Sequence, residues 1–248
     1  MKKTMADRRT MIRTMVTIAV FCAVAFISQF IFKIRVFGFL TFDAKDAVMA
    51  VGAMAFGPLW GLVMSILLAT LESITIGDTG AIGWIMDILS TASFVCVSAF
   101  FYRRKRTMEG AILALLAGVL AGIAMMMAMN VVFTPAFMLN MSLVDFVRIP
   151  FDEEIRAGYL ENVRSVVGMI PTILLPFNVT KAFLNAGLVL VLYKPISTAM
   201  KHAKVIKGEP TSLHFDRKSV LMLVIGVLVI VACVTVFLIL MNGQFEWG

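Results

Sequence analysis

An all-α, polytopic membrane helical bundle is the fold class this sequence predicts, and three observations predict it. Hydrophobic residues make up 60% of the chain and mean hydropathy is +0.96, far above an ordinary soluble domain. Several apolar runs approach or exceed the roughly 20 residues that a bilayer crossing needs. The basic residues gather in short stretches between those runs, the pattern of cytoplasmic loops. They do not line one face, which argues against nucleic acid as a partner. The chain divides into a membrane domain (1–200), a basic cytoplasmic linker (201–218) and one additional transmembrane helix with a short tail (219–248).

The first span follows Lys2, Lys3, Arg8, Arg9 and Arg13 and runs from about Met11 to Phe32. Its opening resembles a signal peptide, but the apolar run outlasts a typical h-region and more spans follow, so it reads as an uncleaved helix. Ala19 and Ala23 stand one turn apart with Ala25 close by, a small-residue strip that allows another backbone to approach. That other backbone could belong to this chain or to a partner. Residues 33–42 form a loop rich in aromatic side chains. Asp43 and Asp46 then fit a capping box that opens a second helix, about Ala44 to Phe56, closed by Gly57-Pro58. That helix rises only about 20 Å, short for a full crossing.

A third helix covers about Leu59 to Ile74 and ends near Glu72, before the turn Gly77-Asp78-Thr79-Gly80. The fourth, about Ala81 to Tyr102, carries Asp87 one turn inside, where it should face protein or a cavity and not lipid. Arg103-Arg104-Lys105-Arg106 ends it. The fifth, about Gly110 to Phe133, has a close-packing strip at Ala114, Gly118 and Gly122 and a single strongly polar residue, Asn130. A polar, acidic segment then runs from Thr134 to Glu161, centred on Asp152-Glu153-Glu154. A shorter helical piece, about Val163 to Leu174, leads to Pro176, where the sixth membrane helix begins and runs to Lys194-Pro195. A final apolar span, about Val220 to Met241, has no charge and reads as an appended anchor tethered on the far side from any polar site. Truncation after Ala203 is therefore expected to leave ligand affinity unchanged.

The sixth helix carries the most informative polar residues. Asn178, Lys181 and Asn185 lie at i, i+3 and i+7, within about 60° of one another. An ammonium group in a bilayer helix costs about 2.5–3.5 kcal/mol or more, and near a helix N-terminus the dipole opposes it as well. Either Lys181 snorkels or pairs with a nearby carboxylate, or it faces a polar pocket for an electron-rich ligand. Catalytic chemistry has little footing. There is no P-loop glycine motif, both histidines (His202, His214) fall in the basic linker, and the three cysteines have neither metal-ligand nor disulfide spacing. Only Glu72 and Asp87 offer an acid–base pair for a membrane enzyme. No metal site and no cofactor are expected.

Orientation follows from charge. Placing the N-terminus, the 103–106 loop and the 194–218 segment inside the cell puts fifteen of the 22 Lys and Arg in the cytoplasm. The Phe37–Asp43 loop, the Glu72–Trp84 turn, Asn130 and the Asn178/Lys181 end of the sixth helix then converge on one outward-facing site.

Phe39-Leu40-Thr41-Phe42-Asp43-Ala44-Lys45-Asp46, Phe56-Gly57-Pro58, Leu175-Pro176-Phe177-Asn178-Val179-Thr180-Lys181 and Leu192-Tyr193-Lys194 together resemble the S components of energy-coupling factor (ECF) vitamin transporters. The riboflavin-specific members are the most similar. The resemblance covers about Met11 to Ser197 and implies six family helices plus one extra C-terminal transmembrane helix. It implies a multi-pass cell-membrane subunit, N-terminus cytoplasmic, that captures riboflavin as its transported ligand and docks on one transmembrane coupling subunit and two ATPase subunits. Leu40, Thr41, Phe42, Asp43, Asn130, Phe177, Asn178 and Lys181 would then contact the ligand, and Ala19 and Ala23 would form the docking strip. Another vitamin or a precursor remains the alternative cargo.

Overall fold

A computed structural model of the protein describes residues 5–32, 34–36, 40–76, 80–203, 217–241 and 246–247. In chain order these form α1 (Met5–Phe32), β1 (Ile34–Val36), β2 (Leu40–Phe42), α2 (Lys45–Phe56), α3 (Pro58–Thr75), α4 (Gly80–Arg104), α5 (Met108–Met138), α6 (Leu143–Arg148), α7 (Glu153–Met169), a π-helical turn (Ile170–Leu174), α8 (Leu175–His202), α9 (Arg217–Met241) and β3 (Glu246–Trp247). Six helical segments of the described chain are long and apolar enough to cross a membrane, with residues 153–202 counting as one. The helical-bundle class holds. Part of the predicted turn (77–79), the centre of the aromatic loop (37–39) and most of the basic linker (204–216) lie outside the described residues.

Helix α2 is the axis of the bundle. It is buried from Lys45 to Met54 and packs on α1, α3, α4 and α8. Its sequence permits this, because Ala47, Ala50, Gly52 and Ala53 keep the helix slim. A Cβ at Gly52 would stand 3.1 Å from the Phe21 ring and 3.2 Å from the end of Met64. Likewise a side chain at Gly118 of α5 would meet the Ser98 hydroxyl and the Phe94 carbonyl of α4, so the small-residue strip of α5 is where α4 and α5 meet. The strip on α1 divides differently. Ala25 is fully buried, whereas Ala19 and Ala23 are exposed on a face shared with Val16, Val20 and Ile27. Packing within this chain therefore accounts for Ala25 but not for the other two.

Several sequence expectations are corrected. The capping box does not form: Ala44 is the N-cap of α2, with no side-chain cap. Tertiary partners claim both aspartates instead, Lys181 for Asp43 and Thr91 for Asp46. The sixth membrane helix does not stop at Pro195, because a proline removes one backbone hydrogen bond without forbidding the next turn. Helix α8 continues to His202, burying Thr198 and Met200. The aromatic loop contains a small antiparallel pairing of β1 with β2, extended by β3 on the other edge of β1. The acidic segment is mostly helical. Ser142 and Asp145 cap α6 reciprocally, and those hydrogen bonds from Ser142 hold the Asp145 carboxyl below its ordinary range.

Helix α9 does not stand apart as an anchor. It packs along α8, and the two backbones cross at a glycine pair. A Cβ at Gly187 would meet the Gly226 carbonyl at 3.0 Å, and one at Gly226 would meet the Gly187 carbonyl at 2.8 Å. At its other end Phe237 lies edge-on to Phe42, ring centroids 4.8 Å apart. Hence α9 reaches the hairpin end of the bundle, contrary to the sequence expectation of an element remote from the polar site.

Candidate functional site

Pro171 and Pro176 each lack an N–H, and between them the helix widens into a π turn in which the Leu175 N–H bonds to the Ile170 carbonyl. Such turns free carbonyls for side chains. Here the Asn178 amide donates to the Leu174 carbonyl at 2.8 Å. The first turns of α8 share a space with β2 and with faces of α4 and α5. Together they enclose a cavity of about 570 Å³, within the size range of small-molecule sites.

Leu40, Thr41, Asp43, Asn130, Phe177, Asn178 and Lys181 all line this cavity. Residues separated by up to 141 positions in sequence are thus brought to one space. Phe42 is the exception among the predicted site residues. It does not line the cavity but stands behind it, tilted against Phe177 at 4.6 Å between ring centroids.

Lys181 makes the pairing that was one of its two sequence readings, and it also lines the cavity. Its ammonium donates to Asp43 Oδ2 at 2.9 Å and to the Thr41 carbonyl at 3.1 Å. One residue of α8 thereby ties down the segment that follows β2. The other Asp43 oxygen, Oδ1, has no hydrogen-bond partner. Neither does the amide nitrogen Nδ2 of Asn130, whose Oδ1 accepts from Thr134 at 2.9 Å, nor Oδ1 of Asn185. Unsatisfied buried polar atoms are rare and costly. All three belong to residues that line the cavity.

A second polar group forms another part of the wall. Lys45, almost wholly buried, donates to Glu72 Oε2 at 2.5 Å and to Asp87 Oδ1 at 2.7 Å. Gln29 of α1 donates to the same Glu72 oxygen at 2.9 Å. One ammonium cross-links α2, α3 and α4, and the Gln29 amide adds α1 through the Glu72 carboxylate. Glu72 and Asp87 therefore share a cation, an arrangement that the acid–base reading of the pair did not include. Sequence reasoning missed Lys45 as a site residue, and it left Asn185 and Asp46 off the ligand-contacting set. Among the described residues the lining carries four carboxylates (Asp43, Asp46, Glu72, Asp87) against two ammonium groups (Lys45, Lys181). Trp84, fixed by donating its indole N–H to Thr70 at 3.1 Å, supplies an aromatic face.

The chain is similar to known proteins. A family described as "ECF transporter, substrate-specific component" matches residues 13–193. A riboflavin transporter of Staphylococcus aureus (strain TCH60), RibU, is 24% identical over 196 residues, covering 76% of this chain and 93% of that protein. A solved structure of the S component of a bacterial ECF transporter shares the fold at a TM-score of 0.51 and 23% identity, covering 76% of this chain and 97% of that one. The family match stops before the end of α8 and does not include α9 or β3.

Proposed function

The chain belongs to the substrate-specific components of ECF transporters, and from that premise we propose that it captures riboflavin outside the cell and presents it to an ATP-driven energizing module. The observation that carries the ligand assignment is the single cavity uniting Asn130, Asn178 and Lys181 with apolar Leu40 and Phe177. Riboflavin has an apolar dimethylbenzene edge, a ring edge of alternating carbonyl and N–H groups, and a hydroxylated side chain. Asparagine both donates and accepts, which suits the ring edge, while lysine donates only and suits a carbonyl or ring nitrogen. The vitamin is uncharged, which fits a lining with more carboxylates than ammonium groups. A phosphorylated relative would meet that surplus of negative charge at short range. The 24% identity to a riboflavin transporter supports the same choice.

Delivery requires docking. Ala19 and Ala23 lie exposed on one face of α1, and we assign them to the surface that meets the transmembrane coupling subunit, with two ATPases completing the complex. The test is riboflavin uptake by cells that express the chain with such a module. Ala19→Leu with Ala23→Leu places bulk where helices must approach closely. Uptake is expected to fall to background while riboflavin affinity of the isolated chain stays within about twofold. Equal loss of both would reject the docking role.

The orientation proposed with this function is N-terminus and residues 103–106 cytoplasmic, residues around Asp152 outside. Single cysteines at Arg104 and Asp152 in a cysteine-free background should react with an impermeant maleimide from opposite sides of the membrane. Reaction from the same side would remove the outward-facing cavity.

A further inference from the structure

The segment beyond the family match reaches the wall of the site. We propose that α9 is a built-in clamp on the β1–β2 hairpin, with Phe237 as a positioning residue that acts through Phe42 to hold the hairpin closed over the cavity. Three separate features support it. The glycine pair Gly187/Gly226 lets α9 lie against α8 at backbone contact, which fixes where its far end falls. That end presents the Phe237 ring edge-on to Phe42, and Phe42 in turn leans on Phe177 of the cavity wall, a continuous row of three aromatics. Strand β3 pairs with β1, Ile34 opposite Trp247 and Arg35 opposite Glu246, which gives the hairpin a third strand.

The clamp has room to release. Beside Phe42 lies a second cavity of about 290 Å³, walled by Ile34, Leu184, Cys233, Val234 and Phe237 and almost wholly apolar. A Phe42 ring freed from Phe237 can turn into that space, and β2 would then move with it. Because Leu40 and Thr41 of β2 line the main cavity, movement of β2 opens the wall. Lys181 holds the same segment by its contacts with Thr41 and Asp43, so the hairpin is fastened on the α8 side by a polar latch and on the α9 side by an aromatic one. Loss of the aromatic latch acts on escape of the ligand more than on its arrival, as most affinity changes do.

The opening test does not depend on which ligand the cavity takes. Thr41→Cys in a background lacking Cys22, Cys96 and Cys233 is labelled with an impermeant maleimide, with and without Phe237→Ala. The loss of an edge-to-face contact predicts labelling about three- to tenfold faster. Phe237→Leu, which keeps an apolar group at the contact, should restore most of the slow rate. Leu228→Ala, on the exposed side of α9, should leave it unchanged. Unchanged labelling in Phe237→Ala overturns the clamp. A second arm measures riboflavin release and rests on the riboflavin assignment above. Dissociation should quicken about three- to tenfold while the association rate stays within about twofold, and truncation after Ala203 should quicken it at least as much. Faster labelling with unchanged riboflavin release also overturns the proposal. Faster labelling in a protein that binds no riboflavin leaves the clamp standing and rejects the flavin assignment alone.

Discussion

Lys45→Met is expected to destabilise the bundle by about 3–5 kcal/mol, the range for removing one partner of a buried ion pair. The side chain is nearly isosteric, so little packing is lost. What is lost is, among the described residues, the one cation within hydrogen-bond reach of both Glu72 and Asp87, at 2.5 and 2.7 Å. Their carboxylates then face each other and the cavity without compensation, and α2, α3 and α4 lose their common link. Thermal unfolding in detergent, followed by tryptophan fluorescence, measures the loss. The triple variant Lys45→Met, Glu72→Gln, Asp87→Asn should recover most of it, because neutral amides carry no uncompensated charge. A single variant as stable as the wild type would show that water in the cavity already neutralises the pair and that Lys45 does not brace the helices.

Lys181→Ala is expected to weaken riboflavin binding at least tenfold and up to about a hundredfold, the usual effect of deleting a charge-assisted contact. Two consequences add. A donor facing the cavity disappears, and Asp43 is released from its 2.9 Å partner, which frees the end of β2. Asp43→Asn alone should cost less, since an amide can still accept from Lys181. Because Lys181 and Asp43 touch, the double variant should lose less than the sum of the two single losses. Titration of each variant by flavin fluorescence, with melting temperature as the folding control, separates the cases. Simple additivity would mean that Lys181 and Asp43 act on the ligand independently.

The legible parts of this protein were those that membrane insertion itself dictates. Lipid forces long unbroken apolar runs, so α1, α3, α4, α5, α8 and α9 could be read as runs of Leu, Val, Ile, Phe and Ala. The same rule exposed Asn130, Asn178 and Lys181, since a polar residue inside such a run is costly and calls for a partner. Lys45 gave no such signal. It stands beside Asp43 and Asp46 at the start of a short helix, where charges are usually solvated or capping. Only the arrival of Glu72 and Asp87 from two other helices makes it a core residue. The capping-box expectation failed for the same reason, because local N–H groups lost both aspartates to partners 45 or more residues away. The crossing of α9 on α8 was also invisible. Gly187 and Gly226 are unremarkable one at a time, and their meaning depends on a pairing that no local pattern encodes.

Direct titration of riboflavin with the purified chain in detergent tests the central claim most simply. Flavin fluorescence is quenched when the ring enters a protein cavity beside aromatic side chains such as Trp84 and Phe177. The expected result is saturable quenching that ends at one riboflavin per chain and requires at least tenfold more Lys181→Ala protein to reach half its extent. Riboflavin that keeps its full fluorescence in an excess of folded wild-type protein would contradict the assignment of this cavity to the vitamin.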